Sequence, residues 1–231
     1  MHVKPRRPSI VFQKASQIPR LTFDIDDFDS ILHFLTLNQK ICLSGIHTQK
    51  LVERLCVRAQ LPCRYGGLDS KVLLIDGANS SDLYQCVDFA QQYGLNAKKI
   101  LTGIISCRTF TVYQLANLII NELSSAIKRY NVKIVIITHL LHFFTNDPYL
   151  NTGEMQQMLK SVVNSLKKIQ NCMVLVSLGL PTAFDGMLIQ LFSKTIAIKQ
   201  SYNALSVHIN DQGRTQSVLL DEQTLDIVPQ H

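Results

Sequence analysis

No apolar run in the chain approaches the ~18 residues that a membrane-spanning helix needs; the densest stretches, Ile134–Ile137 and Cys172–Val176, are strand-sized. No secretory leader is readable either, because the N-terminus is basic with no apolar stretch behind it. The six cysteines (Cys42, Cys56, Cys63, Cys86, Cys107 and Cys172) form no C-x-x-C pair and mostly sit inside apolar segments. That argues against a disulfide framework and for buried thiols in a reduced compartment, the cytoplasm or, in a eukaryote, the nucleus. Charge is scarce at 17% of residues against 46% apolar, which excludes a disordered chain and promises a substantial core. At 231 residues the chain holds one domain of ordinary-to-large size or two small ones.

Acidic side chains are absent from residues 1–20, which carry Lys4, Arg6, Arg7, Lys14 and Arg20. This segment supplies five of the net +6, while the other 18 basic side chains face 17 acidic ones. The body is near neutral, and the basic character is an arm that Pro5 and Pro8 mark as linker. The expected division is an arm over 1–20 and a core over 21–231. By itself the arm reads either as a solvated tail or as a phosphate-contacting segment, in which Lys4, Arg6 and Arg7 neutralise about three phosphates.

Past the arm, short apolar runs alternate with amphipathic stretches. Strands are expected at Ile41–Leu43, Val72–Ile75, Ile100–Ser106, Ile134–Ile137 and Met173–Val176. Helical spacing links Leu51, Val52, Leu55, Cys56 and Ala59, then Leu83, Cys86, Val87 and Ala90. It recurs over Ala116–Ile127, with Thr111 as N-cap, and over Met155–Leu166. Five continuous apolar strands alternating with four helices predict an α/β fold with a doubly wound, mostly parallel sheet. Beyond residue 194, short strands at Lys194–Ile198, Leu205–Ile209, Ser217–Leu220 and Leu225–Val228 predict C-terminal antiparallel pairing, with a hairpin turn at Asp211-Gln212-Gly213.

In such sheets ligands bind at the carboxyl ends of strands. The first strand-to-helix turn is Ser44-Gly45-Ile46-His47-Thr48-Gln49-Lys50, with a single glycine, and Leu51 follows its lysine where a magnesium-binding hydroxyl is needed. The second strand ends in Asp76, the fourth in Thr138 and His139. The turn has the architecture of a phosphate-binding enzyme without its charges. His139 and His142 are spaced for one helical turn, but no Cys or acid completes a metal set. A Ser-His-Asp triad has no G-x-S-x-G elbow. Met155 and Met158 read as core, and the pairs Lys98-Lys99, Lys128-Arg129 and Lys167-Lys168 read as helix C-terminal cations favoured by the dipole.

Gln60-Leu61-Pro62 and Gly66-Gly67-Leu68-Asp69-Ser70-Lys71-Val72-Leu73-Leu74-Ile75-Asp76 resemble the RecA/RadA-like recombinases of archaea and their eukaryotic counterparts. So do Asp82, Tyr93-Gly94-Leu95 and Arg108-Thr109-Phe110, with Leu21–Leu32 before them and Lys133–Phe144 after. The resemblance covers roughly residues 12–230 and implies a RecA-like fold; the family's N-terminal helix-hairpin-helix domain has no counterpart in it. Laid over the family, the Walker A positions for Gly, Lys and Ser/Thr fall on His47, Thr48 and Gln49, and an alternative register uses Lys50. The catalytic Glu falls on Ala78 and the Walker B Asp on Thr138. The second DNA-binding loop shrinks to little more than Leu178–Ala183. What survives is the family's polymerisation motif, Phe-x-x-Ala, as Phe12-Gln13-Lys14-Ala15, whose Phe enters a neighbour's pocket. On the acceptor side Cys107 and Thr109 stand where the family favours alanine, and Leu118 fits.

The resemblance therefore implies a RadA paralogue that is a pseudo-ATPase, holds no ATP or magnesium, and docks on a RadA-type recombinase or another paralogue in homologous recombination or DNA repair. A nucleotide-binding or weak ATPase subunit and a basic-arm DNA-binding module are the rival expectations.

Overall fold

Continuous runs of β-branched and aliphatic residues can bury both faces of a strand, and here they build the centre of an eight-stranded sheet. The computed structural model describes residues 19–146, 151–179, 182, 185–189 and 191–229. A short antiparallel pair, β1 (Arg20–Leu21) and β2 (Leu35–Thr36), brackets α1 (Asp26–Leu32). Three backbone amides, of Phe23, Asp24 and Ile25, donate to the Asp29 carboxylate and fix the approach to α1. Arg20, assigned to the arm by its charge, is thus part of β1, stacked over Phe34.

The main elements follow as β3 (Lys40–Gly45), α2 (Thr48–Arg58), β4 (Val72–Asp76), α3 (Leu83–Gln92), α4 (Ala97–Thr102) and β5 (Ile104–Arg108). After them come α5 (Val112–Asn117), a π turn at Leu118–Glu122, α6 (Leu123–Tyr130), β6 (Ile134–Thr138), α7 (His142–Asn146), α8 (Thr152–Lys167) and β7 (Met173–Leu178). Last are α9 (Asp185–Ile189), β8 (Lys194–Ser201), β9 (Ala204–Asp211) and β10 (Arg214–Leu220). The sheet order is β10-β9-β8-β3-β7-β6-β4-β5. Strands β3 to β8 run parallel, and β9 and β10 add an antiparallel extension. The fold is the mixed α/β architecture that the alternation of runs predicts.

Helices cover both faces. One core packs α1 to α4 against Ile41, Leu43, Val72, Leu74 and Ile136, and the other packs α5 to α9 against Leu73, Ile75, Val135, Ile137 and Val174. The hairpin turn stands as expected: Asp211 pairs with Arg214, and Gln212 and Gly213 both take positive φ, the geometry of a type I′ turn. Four of the six cysteines are buried and two half-buried. Among the described residues no helix is long and apolar enough to cross a membrane.

Four expectations are corrected. The run Ile100–Ser106 is not one strand: Asn96 caps α4 by accepting from Lys99 N, and Gly103 ends it where an added Cβ would meet Gln60 Oε1. Lys98 consequently lies in the first turn of a helix and not at a C-terminus, while Lys99 falls in the last turn of the same six-residue α4. Leu225–Val228 is not a strand; Asp221 accepts from Gln223 N and caps a 3₁₀ turn over Glu222–Leu225. His139 and His142 do not share a helical turn, because His139 has a φ of 47° and α7 begins at His142.

Candidate functional site

The carboxyl ends of β3, β4 and β6 meet where the sequence places its candidate nucleotide loop. Between Gly45, the last residue of β3, and Thr48, the first of α2, stand only Ile46 and His47. Gly45 has a φ of 95°, and a Cβ there would lie 1.9 Å from the Ile198 carbonyl oxygen. The glycine lets β3 approach β8. Ile46 N donates to that same oxygen at 3.1 Å, so an amide that would face a phosphate is committed to the neighbouring strand.

The side chains of the turn are also engaged, chiefly by the C-terminal segment. His47 Nε2 lies 3.2 Å from Glu222 Oε1, and Lys50 Nζ 2.7 Å from Asp226 Oδ2. Gln49 Nε2 donates to Glu53 Oε1 at 2.7 Å, and Thr48 is buried. Arg54, fully buried, holds that segment in place by donating to Ile227 O at 2.9 Å while also gripping Phe23 O and Asp24 O. Gln92 ties it from α3, accepting from Val228 N and donating to Asp226 O.

Asp76 ends β4 with its carboxylate buried. It accepts from Ser81 N at 2.9 Å, Ser80 N at 3.1 Å and Ala78 N at 3.4 Å, so the loop after β4 wraps around it. Thr138, fully buried, donates to Asp76 Oδ1 at 3.2 Å, and Arg108 Nε stands 3.8 Å from Oδ2. Burial pushes the Asp76 carboxyl up, but the Ser81 and Ser80 amides outweigh it and hold it below the usual range. Ala78 and Thr138 therefore meet at one carboxylate. His139 N donates to Ser177 Oγ, its Nδ1 lies 3.3 Å from Ser80 Oγ, and burial pulls its imidazole down against the opposing charge of Asp76.

Sequence reasoning missed Glu53, which is buried in α2 and accepts from Gln49 Nε2 and Asp82 N. Burial pushes its carboxyl up to about 7; those two hydrogen bonds resist, and the charges of Asp82 and Asp76 add to the rise. Arg54, Glu222 and Asp226 were missed as well. The one local signal was an adjacent Glu53-Arg54 pair inside an otherwise apolar helical run.

On the far edge of the sheet, β5 pairs with β4 alone among the described residues. Cys107 is half-buried there, its thiol pushed up by burial and by the charge of Glu122. Thr109 is buried with its Oγ1 unpartnered among the described residues, and Leu118 packs against the second core. Phe110 and Tyr113 flank this edge, 67% and 52% exposed. Phe12, Ala15, Lys4, Arg6 and Arg7 lie outside the described residues, as does part of Leu178–Ala183.

The sequence model of the Rad51 family matches residues 44–178. The chain is similar to a protein called meiotic recombination protein DMC1 homolog A in Oryza sativa subsp. japonica, at 29% identity over 123 residues, covering 52% of this chain and 35% of that one. The DMC1 homologs of Lilium longiflorum and Arabidopsis thaliana are 28% identical over the same length. The chain spans about a third of the length of these curated relatives, each matched over 35% of its own sequence.

Proposed function

Because the chain belongs to the Rad51 family, we propose that it is a non-catalytic paralogue that serves homologous recombination or DNA repair by docking on a RadA-type recombinase or another paralogue. One observation carries the reading: the side chains of the nucleotide turn that would face a phosphate, His47 and Lys50, are already engaged by Glu222 and Asp226 of the same chain. Magnesium triphosphate does not fit this arrangement. The Ile46 amide is taken by Ile198, Thr138 stands where a metal-positioning acid is needed, and Asp76 is enclosed by its own loop. Each charge-assisted contact is worth ~1.5–3 kcal/mol, so losing several removes most nucleotide affinity.

The protein then works as a ligand. The segment before β1 acts as a donor arm: Phe12 seats in a pocket of the partner and the flanking backbone adds a strand, as in β-augmentation. The acceptor side, with Cys107 and Thr109 in place of alanines, is altered while the donor motif is intact, which suits a cap or modulator of a filament. Its place in the cell follows the recombinase, in the cytoplasm or a eukaryotic nucleus.

A second reading rests on Lys50, which lies in the first turn of α2 and could exchange Asp226 for a phosphate, as in a nucleotide-binding or weak ATPase subunit. Calorimetric titration with magnesium-ATP separates the two. Affinity no tighter than millimolar and no hydrolysis are expected. Micromolar binding that Lys50→Ala or Thr48→Ala abolishes would favour the nucleotide-binding subunit instead.

A further inference from the structure

The near balance of charge in residues 21–231 conceals a separation of charge in space. Strands β7, β6, β4 and β5 lie side by side and parallel, so their starts share one end of the molecule. Lys167 and Lys168 close α8 before β7, and Lys128 and Arg129 stand in the last turn of α6 before β6. Lys71 immediately precedes β4, and Lys98 and Lys99 belong to α4 before β5. All seven side chains are exposed, and none has an ion-pair partner among the described residues. Within residues 68–72, 96–103, 127–134 and 167–173 the sole acid is Asp69. Asp76, Glu53 and Asp82 lie at the opposite end, where β4 finishes and α3 begins.

Helix dipoles account for part of this. They favour Lys128, Arg129, Lys167 and Lys168 at helix C-termini. They do not account for Lys98 in the first turn of α4, and Lys99 falls within both turns of that six-residue helix. Lys71 is in no helix. What the seven share is the end of the sheet, not a helix position.

We infer that this end is a binding face for the phosphate backbone of nucleic acid, separate from the arm. The four strand starts span roughly 15 Å at the ordinary strand spacing, and helices on both faces widen the row. A duplex presents one charge per ~1.7 Å of axis, so an extended polyanion meets the whole row where a small anion would meet two of its cations. Tyr130, 39% exposed, is the sole large apolar side chain exposed on these segments, which favours a backbone over a bilayer that demands insertion. The seven cations answer phosphates whatever the bases, so binding by this row is indifferent to sequence.

The test measures fluorescence anisotropy of the full chain with labelled single-stranded and duplex 30-mers across a salt series, with a thermal melt of every variant. Lys98→Glu/Lys99→Glu and Lys167→Glu/Lys168→Glu should each weaken binding at least tenfold and flatten the log–log salt slope by about 2 on duplex. Lys199→Glu/Arg214→Glu, the same change in charge on β8 and β10, should do neither. Lys4→Ala/Arg6→Ala/Arg7→Ala should remove about 3 from the slope and leave the rest. The face is refuted if the two face variants match the β8/β10 control, if the arm variant alone abolishes binding, or if vesicles of phosphatidylserine bind and DNA does not. The face does not depend on docking, so these results leave the partner question to its own assay.

Discussion

Two buried carboxylates, Asp76 at the end of β4 and Glu53 inside α2, are driven in opposite directions by their surroundings. Asp76 is held below the usual range by the amides that wrap it, so its contribution to stability is present above its unfolded value of 3.8 and is lost as pH falls through its folded value. Glu53 is the reverse. Its folded value of about 7 exceeds the unfolded 4.5, so the native state holds the proton more tightly, and stability declines as pH rises from 4.5 through 7. Glu53→Gln keeps an oxygen for Gln49 Nε2 and Asp82 N while removing the buried charge. Thermal melts should show a Tm at pH 8 raised by a few degrees and a flattened profile between pH 4.5 and 7. A lowered Tm at pH 8 with the slope retained would mean that the charged form is needed.

At the scale of elements, the nucleotide turn is a strand junction. Gly45 is required by the approach of β3 to β8, because a Cβ would strike the Ile198 carbonyl. Gly45→Ala should therefore destabilise the fold by about 3 kcal/mol or more, combining strain at a φ of 95° with separation of two paired strands. A denaturant midpoint close to that of the parent protein would show the glycine is kept for something other than packing. The strands here were legible because Ile134–Ile137 and Met173–Val176 are apolar without interruption, as burial on two faces demands. The α4–β5 boundary was not, since Ile100, Leu101, Ile104 and Ile105 satisfy both periods and the cap at Asn96 and the break at Gly103 decide between them. Residues of the turn were likewise readable, but their partners were not. Glu222 and Asp226 come from a 3₁₀ turn at the far end of the chain, and no local period announces a contact made through folding. Glu53 and Arg54 stayed hidden because residues 51–58 of α2 are buried all round, leaving no polar face to betray an exception.

The whole molecule presents three distinct surfaces. The strand ends near α2 are closed by the chain's own carboxylates, the strand starts are basic, and exposed Phe110 and Tyr113 stand beside the outer edge of β5, which has no strand partner among the described residues. Under the proposed function, a paralogue with no triphosphate to bind contributes through contact, and the segment before β1, with Phe12 and Ala15, is the proposed donor. The most direct measurement is the affinity of this protein for a RadA-type recombinase, with Phe12→Ala, Ala15→Glu and the parent chain compared by surface plasmon resonance. A buried aromatic anchor is worth ~2 kcal/mol or more at an interface, so both variants should bind at least about thirtyfold more weakly with an unchanged Tm. Undiminished affinity in a well-folded Phe12→Ala variant, or a large fall in its Tm showing that Phe12 packs on its own domain, would contradict the account.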